Sequence, residues 1–263
     1  MSVCAHCQQP LVLDIDLSDD DEDVQMTAGS SSAAAAPVKT VPDDVGLPCG
    51  CHFHYPCLLD SYQLTQCPNC DRTITSTSSN GAAQILCTLN NEGGLQENLD
   101  MLPLLTEEAY LRAYPEDRKC RAFLEFCREG DVSAVVELLK SCDEDSDEDE
   151  DMDDDSPPEP KKSKDEILRY QDPIGEMQTG LHAAVAGGSR EVAWLLLLLA
   201  SHLPELEFPA LVYQEAGALG IMREDQTGKT DIRTLRDADG KTAQQLAVET
   251  GGVWHGWEGR LGA

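Results

Sequence analysis

Cys49-Gly-Cys51-His52-Phe53-His54-Tyr-Pro-Cys57, with Cys67-Pro-Asn-Cys70 behind it, decides the fold of the first part of this chain. Cys4-x2-Cys7 lies upstream, and the three stretches together offer eight soft donors in four pairs. A structural zinc site takes four thiolates or imidazoles in a closed tetrahedron. Eight donors therefore make two sites with no coordination position left for a substrate. Two Zn2+ ions are the expected cofactors, and their expected role is architectural. His6 and His52 fall between these donors, and a neutral imidazole can replace a neighbouring thiolate, so the choice between Cys51 and His52 is open at this point.

Disulfide bonding is the competing use for so many cysteines. The chain holds eleven of them but opens with no charged segment followed by an apolar one, as a secretory leader would. The expected setting is intracellular, cytoplasmic or nuclear, where thiols stay reduced and such spacings read as metal sites. Pro160-Lys-Lys-Ser-Lys164 is a short basic cluster of the nuclear-import type.

The donor series resembles the RING finger of ubiquitin ligases, with Phe53 in the aromatic position before His54 and Pro68 after Cys67. The resemblance implies that the first and third pairs share one zinc, and the second and fourth the other. Cys4, Cys7, His54 and Cys57 would hold one ion; Cys49, Cys51, Cys67 and Cys70 would hold the second. It also implies a docking surface for a ubiquitin-conjugating enzyme, built from His6, Leu58, Leu59, Tyr62, Pro68 and Arg72. Members of that family use no covalent catalytic residue; their zinc-braced loops hold the conjugating enzyme and its thioester-linked ubiquitin in a reactive arrangement. Three positions depart from the pattern. His6 stands where an aliphatic contact is usual, Ser61 where tryptophan is common, and the cation after the last donor is displaced from Asp71 to Arg72.

Composition frames the remainder. At 263 residues the chain has room for about two domains. Its net charge of −30 argues against nucleic-acid binding, which depends on lysine and arginine meeting phosphates. No apolar run is long enough for a bilayer, so no membrane partner is expected. The acids concentrate in two runs. Residues 14–45 are acidic, then rich in Ser and Ala, and are expected to form a disordered loop inside the zinc domain (1–75). Loop closure costs little extra with length, so this insertion need not break the domain. Residues 143–165 read as a disordered acidic linker. Between them, 76–117 reads as a linker with short strand and helix elements.

From 118 the period changes. Arg121-Ala-Phe-Leu-Glu-Phe-Cys-Arg-Glu-Gly130 carries one apolar stripe and Val132 to Leu139 a second, separated by a Gly-Asp turn, which predicts a helix pair over 118–142. Thr179-Gly-Leu-His182-Ala-Ala184, Gly187-Gly188 and Val192 to Leu197 repeat the pattern. Asp237 to Gly251 repeats it in part. These segments resemble ankyrin repeats, which implies an all-α stack over 166–263 that holds a protein substrate, with Thr179 and His182 capping a first helix. Gly180 replaces the expected proline, and the turn glycines Gly130, Gly188 and Gly251 lie about two repeat periods apart. A third helix pair is expected within Leu203 to Arg236, and Trp194 with Leu195–Leu199 should be core.

Leu11-Val12-Leu13-Asp14-Ile15-Asp16-Leu17-Ser18 runs into Asp19 to Glu22. Val12, Leu13, Ile15 and Leu17 followed by acids resemble a SUMO-interaction motif, a segment that adds a strand to a partner's sheet edge. The same residues also read as the first strand of the zinc domain. The expected fold is therefore multidomain: a small zinc-braced RING-like α+β domain plus an all-α ankyrin-like helical repeat stack, with long disordered acidic insertions. The expected function is that of a RING-type ubiquitin ligase that recruits a conjugating enzyme and holds protein substrates through its ankyrin-like repeats, directed to SUMO if the Val12–Leu17 segment serves as a SUMO-interaction motif. The alternative is a non-catalytic scaffold in which zinc serves only folding and protein contact. A metal enzyme fits least, since every donor is committed.

Overall fold

The computed structural model describes residues 3–15, 39–144, 161–257 and 259–263. They form two compact units, Met1–Tyr110 and Leu111–Ala263.

In the first unit, β1 (Val12–Ile15) and β2 (Lys39–Pro42) pair antiparallel, with Val12 opposite Pro42 and Leu13 opposite Val41. β3 (Asp44–Gly46) follows and pairs antiparallel with β4 (His52–Phe53). The expected loop over 14–45 thus begins and ends in strands, and only 16–38 lies outside the described residues. Gly50, in the turn between β3 and β4, sits at φ +86°, where a Cβ would clash with its own backbone. α1 (Tyr55–Leu59) starts directly after β4, with Pro56 in its first turn, where no intrahelical N–H is needed.

Beyond the last donor, β5 (Ser76–Thr77) and β6 (Ala83–Gln84) form a small ribbon. β7 (Leu86–Asn91) and β8 (Gly94–Asp100) then make a hairpin that joins β3, giving the antiparallel order β4-β3-β7-β8. Period-2 burial along β7 points Cys87 and Leu89 inward and Thr88 outward. α2 (Leu102–Ala113) closes the unit and contributes Leu105. One core unites Val45, Leu47, Phe53, Leu58, Ile74, Ile85, Leu89, Met101 and the donors Cys4 and Cys67. Most of the segment expected as a linker over 76–117 therefore belongs to the first unit. The reason is register: with Val45 opposite both Phe53 and Leu89, β3 needs a strand on either side to bury its apolar face.

The second unit is a stack of helices. α3 (Arg118–Glu129) and α4 (Val132–Glu144) form the expected pair, turned at Gly130 with φ +83°. α5 (Lys164–Leu168) is short and starts with a Ser163–Glu166 capping box. α6 (Gly180–Gly187) and α7 (Arg190–Ala200) form the second pair, turned at Gly188 with φ +76°. α8 (Ala210–Ala218) and α9 (Ala243–Thr250) follow. Packing runs in two rows: α3 on α6 and α6 on α9, with α4 on α7 and α7 on α8. The expected third pair within Leu203 to Arg236 is instead one α-helix, α8, between 3-10 turns at Glu205–Glu207 and Ile232–Thr234. Pro204, Pro209 and Gly220 interrupt this segment and keep a second helix from propagating.

Two close approaches explain residues of this unit. A Cβ on Gly187 would lie 1.9 Å from the carbonyl oxygen of Arg128, so α3 and α6 meet backbone to backbone there. A Cβ on Gly180 would lie 2.6 Å from the Phe123 ring, which accounts for a glycine where the repeat pattern has proline. Leu195 to Leu199 are all buried, so the second half of α7 is covered on every side while its first turns are not. Trp194 is only half buried. Trp254 and Trp257 close the end of the stack after α9, the Trp254 indole N–H donating to Val185 at 2.9 Å.

Candidate metal centres

The two Cys-x2-Cys segments at Cys4 and Cys67 fold identically. The N–H of Cys4 donates to Gln9 (2.8 Å) and that of Gln8 to Cys4 (2.9 Å). The N–H of Cys67 donates to Arg72 (2.8 Å) and that of Asp71 to Cys67 (2.9 Å). In each, the residue after the second cysteine is left-handed, Gln8 at φ +62° and Asp71 at φ +57°. The turn between β3 and β4 presents Cys49 and Cys51, and the start of α1 presents His54 and Cys57.

Folding brings these four pairs together crosswise. Cys4, Cys7, His54 and Cys57 form one cluster; Cys49, Cys51, Cys67 and Cys70 form the other, with the donor atoms of each within 4.8 Å of one another. Tetrahedral thiolate ligation near 2.3 Å separates donors by about 3.8 Å, so each set closes around one metal ion by small side-chain movement. Each cluster can hold a metal ion. One offers three thiols and an imidazole, the other four thiols, the donor chemistry of a closed structural site.

His54 is oriented for the task. Its Nδ1 lies 3.2 Å from the Cys7 sulfur and 3.8 Å from that of Cys57, while Nε2 lies 2.8 Å from the carbonyl oxygen of Pro10. Nε2–H donates to that carbonyl, which leaves the Nδ1 lone pair facing the thiols. The Asn69 side-chain N–H donates to the Cys51 sulfur (3.4 Å), and the backbone N–H of His54 to that of Cys4 (3.4 Å).

These dipoles split the thiols. Burial works against ionising Cys4, but the N–H groups of Cys7, His54 and His6 outweigh it and bring its pKa down to about 6. The N–H of Arg72 brings Cys70 down to about 7. Burial, with Cys7 and Cys4 adjacent, pushes Cys57 up to about 12, and burial pushes Cys67 up to about 12. Each cluster so mixes a ready thiolate with thiols that ionise only when positive charge arrives. A divalent cation supplies that charge and displaces the protons.

The open choice at Cys51 and His52 is settled by geometry. Cys51 joins its cluster, whereas His52 turns to Asp44, Nδ1 to Oδ1 2.7 Å. His6 is exposed and outside both clusters.

No family model matches the chain, and no curated protein or solved structure matches it.

Of the residues expected to face a conjugating enzyme, His6 and Arg72 are exposed and Leu59, Tyr62 and Pro68 half buried. Leu58 has no exposed surface and belongs to the core, because it sits on the inner side of α1. Ser61 spends its hydroxyl on the Leu58 carbonyl (2.6 Å). In the segment expected to meet SUMO, Leu11 is buried while Val12 and Leu13 are exposed on β1. Ile15 ends that strand, and Leu17 lies outside the described residues. Among the described residues no helix is long and apolar enough to cross a membrane.

Three contributors escaped the sequence reading. Pro10 acts through its carbonyl, which no side-chain pattern reveals. Asn69 is an inter-cysteine residue with nothing in its type to mark it. Asp43 looks like one acid among many, yet its side chain is buried and accepts from the N–H of Tyr55 (3.0 Å), while its own N–H donates to Leu11 (3.1 Å). It pins the start of the helix that carries His54 and Cys57.

Proposed function

We propose that the first unit is a RING-type domain holding two Zn2+ ions, and that the protein acts as a ubiquitin ligase. The observation that carries this reading is the crosswise grouping of the donors: first pair with third, second pair with fourth. Two consecutive fingers would group neighbours instead. The zinc would supply cross-links to a small core and no reacting ligand. His6, Leu59, Tyr62, Pro68 and Arg72 would meet the ubiquitin-conjugating enzyme, and the ankyrin-like helical unit would hold the protein substrate. The exposed Val12 and Leu13 would add β1 to a SUMO sheet edge and direct the ligase to SUMO-bearing targets. Autoubiquitination with a panel of conjugating enzymes tests the central claim. Wild type should form chains and Cys49→Ser should not; activity that is absent, or indifferent to this substitution, removes the ligase reading.

A second reading has its own support. Leu58 is buried and Ser61 is tied to the end of α1, which reduces the apolar surface that a conjugating enzyme could grip. On this reading the protein is a zinc-organised scaffold joining two protein partners without transferring ubiquitin.

A further inference from the structure

The second unit carries a cavity of about 250 Å³ between the start of α4, the first half of α7 and α8. Its walls are Val132, Trp194, Leu195, Val212, Ala216 and Leu219. A dry cavity of roughly 150 Å³ holds a benzene molecule, so this one takes a single leucine, methionine or phenylalanine side chain. Its mouth is marked by Leu211, which leaves 59% of its surface exposed.

Charge decides what accompanies that side chain. Glu191 and Glu215 both line the cavity, both are exposed, and neither has an ion-pair or side-chain hydrogen-bond partner among the described residues. Arg190 lines it too, but its guanidinium lies over the Trp257 ring at 5.8 Å, and Trp257 in turn packs on Trp194 at 4.8 Å. Arg190 thereby braces the aromatic wall, and the two carboxylates remain for a ligand. They disfavour this chain's own acidic runs as occupant, and a net charge of −30 disfavours a second copy. We propose that this cavity docks a partner-protein segment that presents one large apolar side chain flanked by lysine or arginine. The proposal rests on the second unit being the target-holding part, and is independent of any ubiquitin transfer.

The test titrates the full chain with short helical peptides on an alanine/lysine background carrying one central leucine or phenylalanine, read by tryptophan fluorescence. Physiological salt, with a Debye length of about 8 Å, screens attraction to the distant acidic runs. Two control peptides replace the central apolar residue by alanine, or every lysine by glutamate. The apolar lysine peptide should bind, and both controls should bind at least about tenfold more weakly, a difference near 1.4 kcal/mol. Glu191→Lys with Glu215→Lys, both at exposed positions, should reverse the preference toward the glutamate peptide; Leu211→Ala should weaken both. Equal binding of the alanine control would mean charge attraction alone and overturns the proposal. Preference of the wild type for the glutamate peptide, indifference to the charge reversal, or no binding at all overturns it as well. Repeating the titration with Cys49→Ser separates the two claims: binding should persist there even if no ubiquitin is ever transferred.

Discussion

His54 and Pro10 are joined by a hydrogen bond of 2.8 Å from the imidazole Nε2 to the carbonyl oxygen, across a long stretch of intervening sequence. The bond selects the tautomer whose Nδ1 is free for a metal. It also ties the N-terminal cysteine segment to the start of α1, so metal binding and closure of the first unit are one event. Removing the metal should therefore unfold that unit, since structural zinc supplies on the order of 10–16 kcal/mol to small domains. Two equivalents of zinc per chain should be released by chelator, with loss of protease resistance before residue 110 while the helical unit stays intact. Retained resistance in the metal-free protein would contradict this.

Asp43 should matter to metal affinity although it touches no metal donor. Its carboxylate holds the N–H of Tyr55, next to His54. Asp43→Ala should weaken zinc binding by up to about tenfold, less than the loss of a group bonded directly to a ligand, because Asp43 acts through the residue next to His54. Competition with a zinc indicator measures this. Asp44→Ala removes only the His52 contact and should leave affinity nearly unchanged.

Glycine-to-alanine changes should take opposite signs in two helices. Alanine normally stabilises a helix interior by about 0.5–1 kcal/mol over glycine. Gly217, in α8, has nothing within 4 Å of a built Cβ, and Gly217→Ala should follow that rule. Gly187→Ala should instead destabilise by about 1–3 kcal/mol, because the methyl meets the backbone of Arg128. Urea unfolding of the two variants decides it.

His182 should make the helical unit acid-sensitive. Its Nδ1 lies 2.8 Å from the Thr179 hydroxyl and its Nε2 3.1 Å from the carbonyl oxygen of Lys241, so the neutral ring spends both nitrogens. Burial lowers its pKa below the ordinary imidazole value, against the raising effects of the Lys241 carbonyl and Asp237. An unfolded histidine titrates near about 6.5, so the unfolded chain takes up the proton first as pH falls. Stability is then fully present above that pH and declines below it, through the window down to the lowered native value. Melting temperatures followed from about pH 7.5 to 5.5 should fall for the wild type and fall less for His182→Gln. Burial opposes ionisation of Asp231, but Arg233 holds its pKa low, so its stabilising contribution is fully present across this window and is lost only as pH falls below the ordinary carboxylate range.

The cysteine and histidine spacings, read alone, marked eight donors in four pairs, because metal ligation demands particular side chains at short, countable separations. Their division into two crosswise sets followed from the resemblance to RING fingers, and the folded chain brings the same two sets together. Helix pairs at Arg118 and Thr179 were equally legible, since a 3.6-residue stripe closed by glycine is a local signal. Tertiary structure decided what depends on residues distant in the chain. It enlisted β7 and β8, which local pattern left as linker, because β3 needed a second neighbour. It reduced the expected third helix pair to α8, and it put Leu58 in the core by the angle of α1. It also opened the cavity beside Trp194, which sequence pattern assigned to the core. Whether an apolar residue faces core or cavity depends on what packs over it, and no spacing along one helix carries that information.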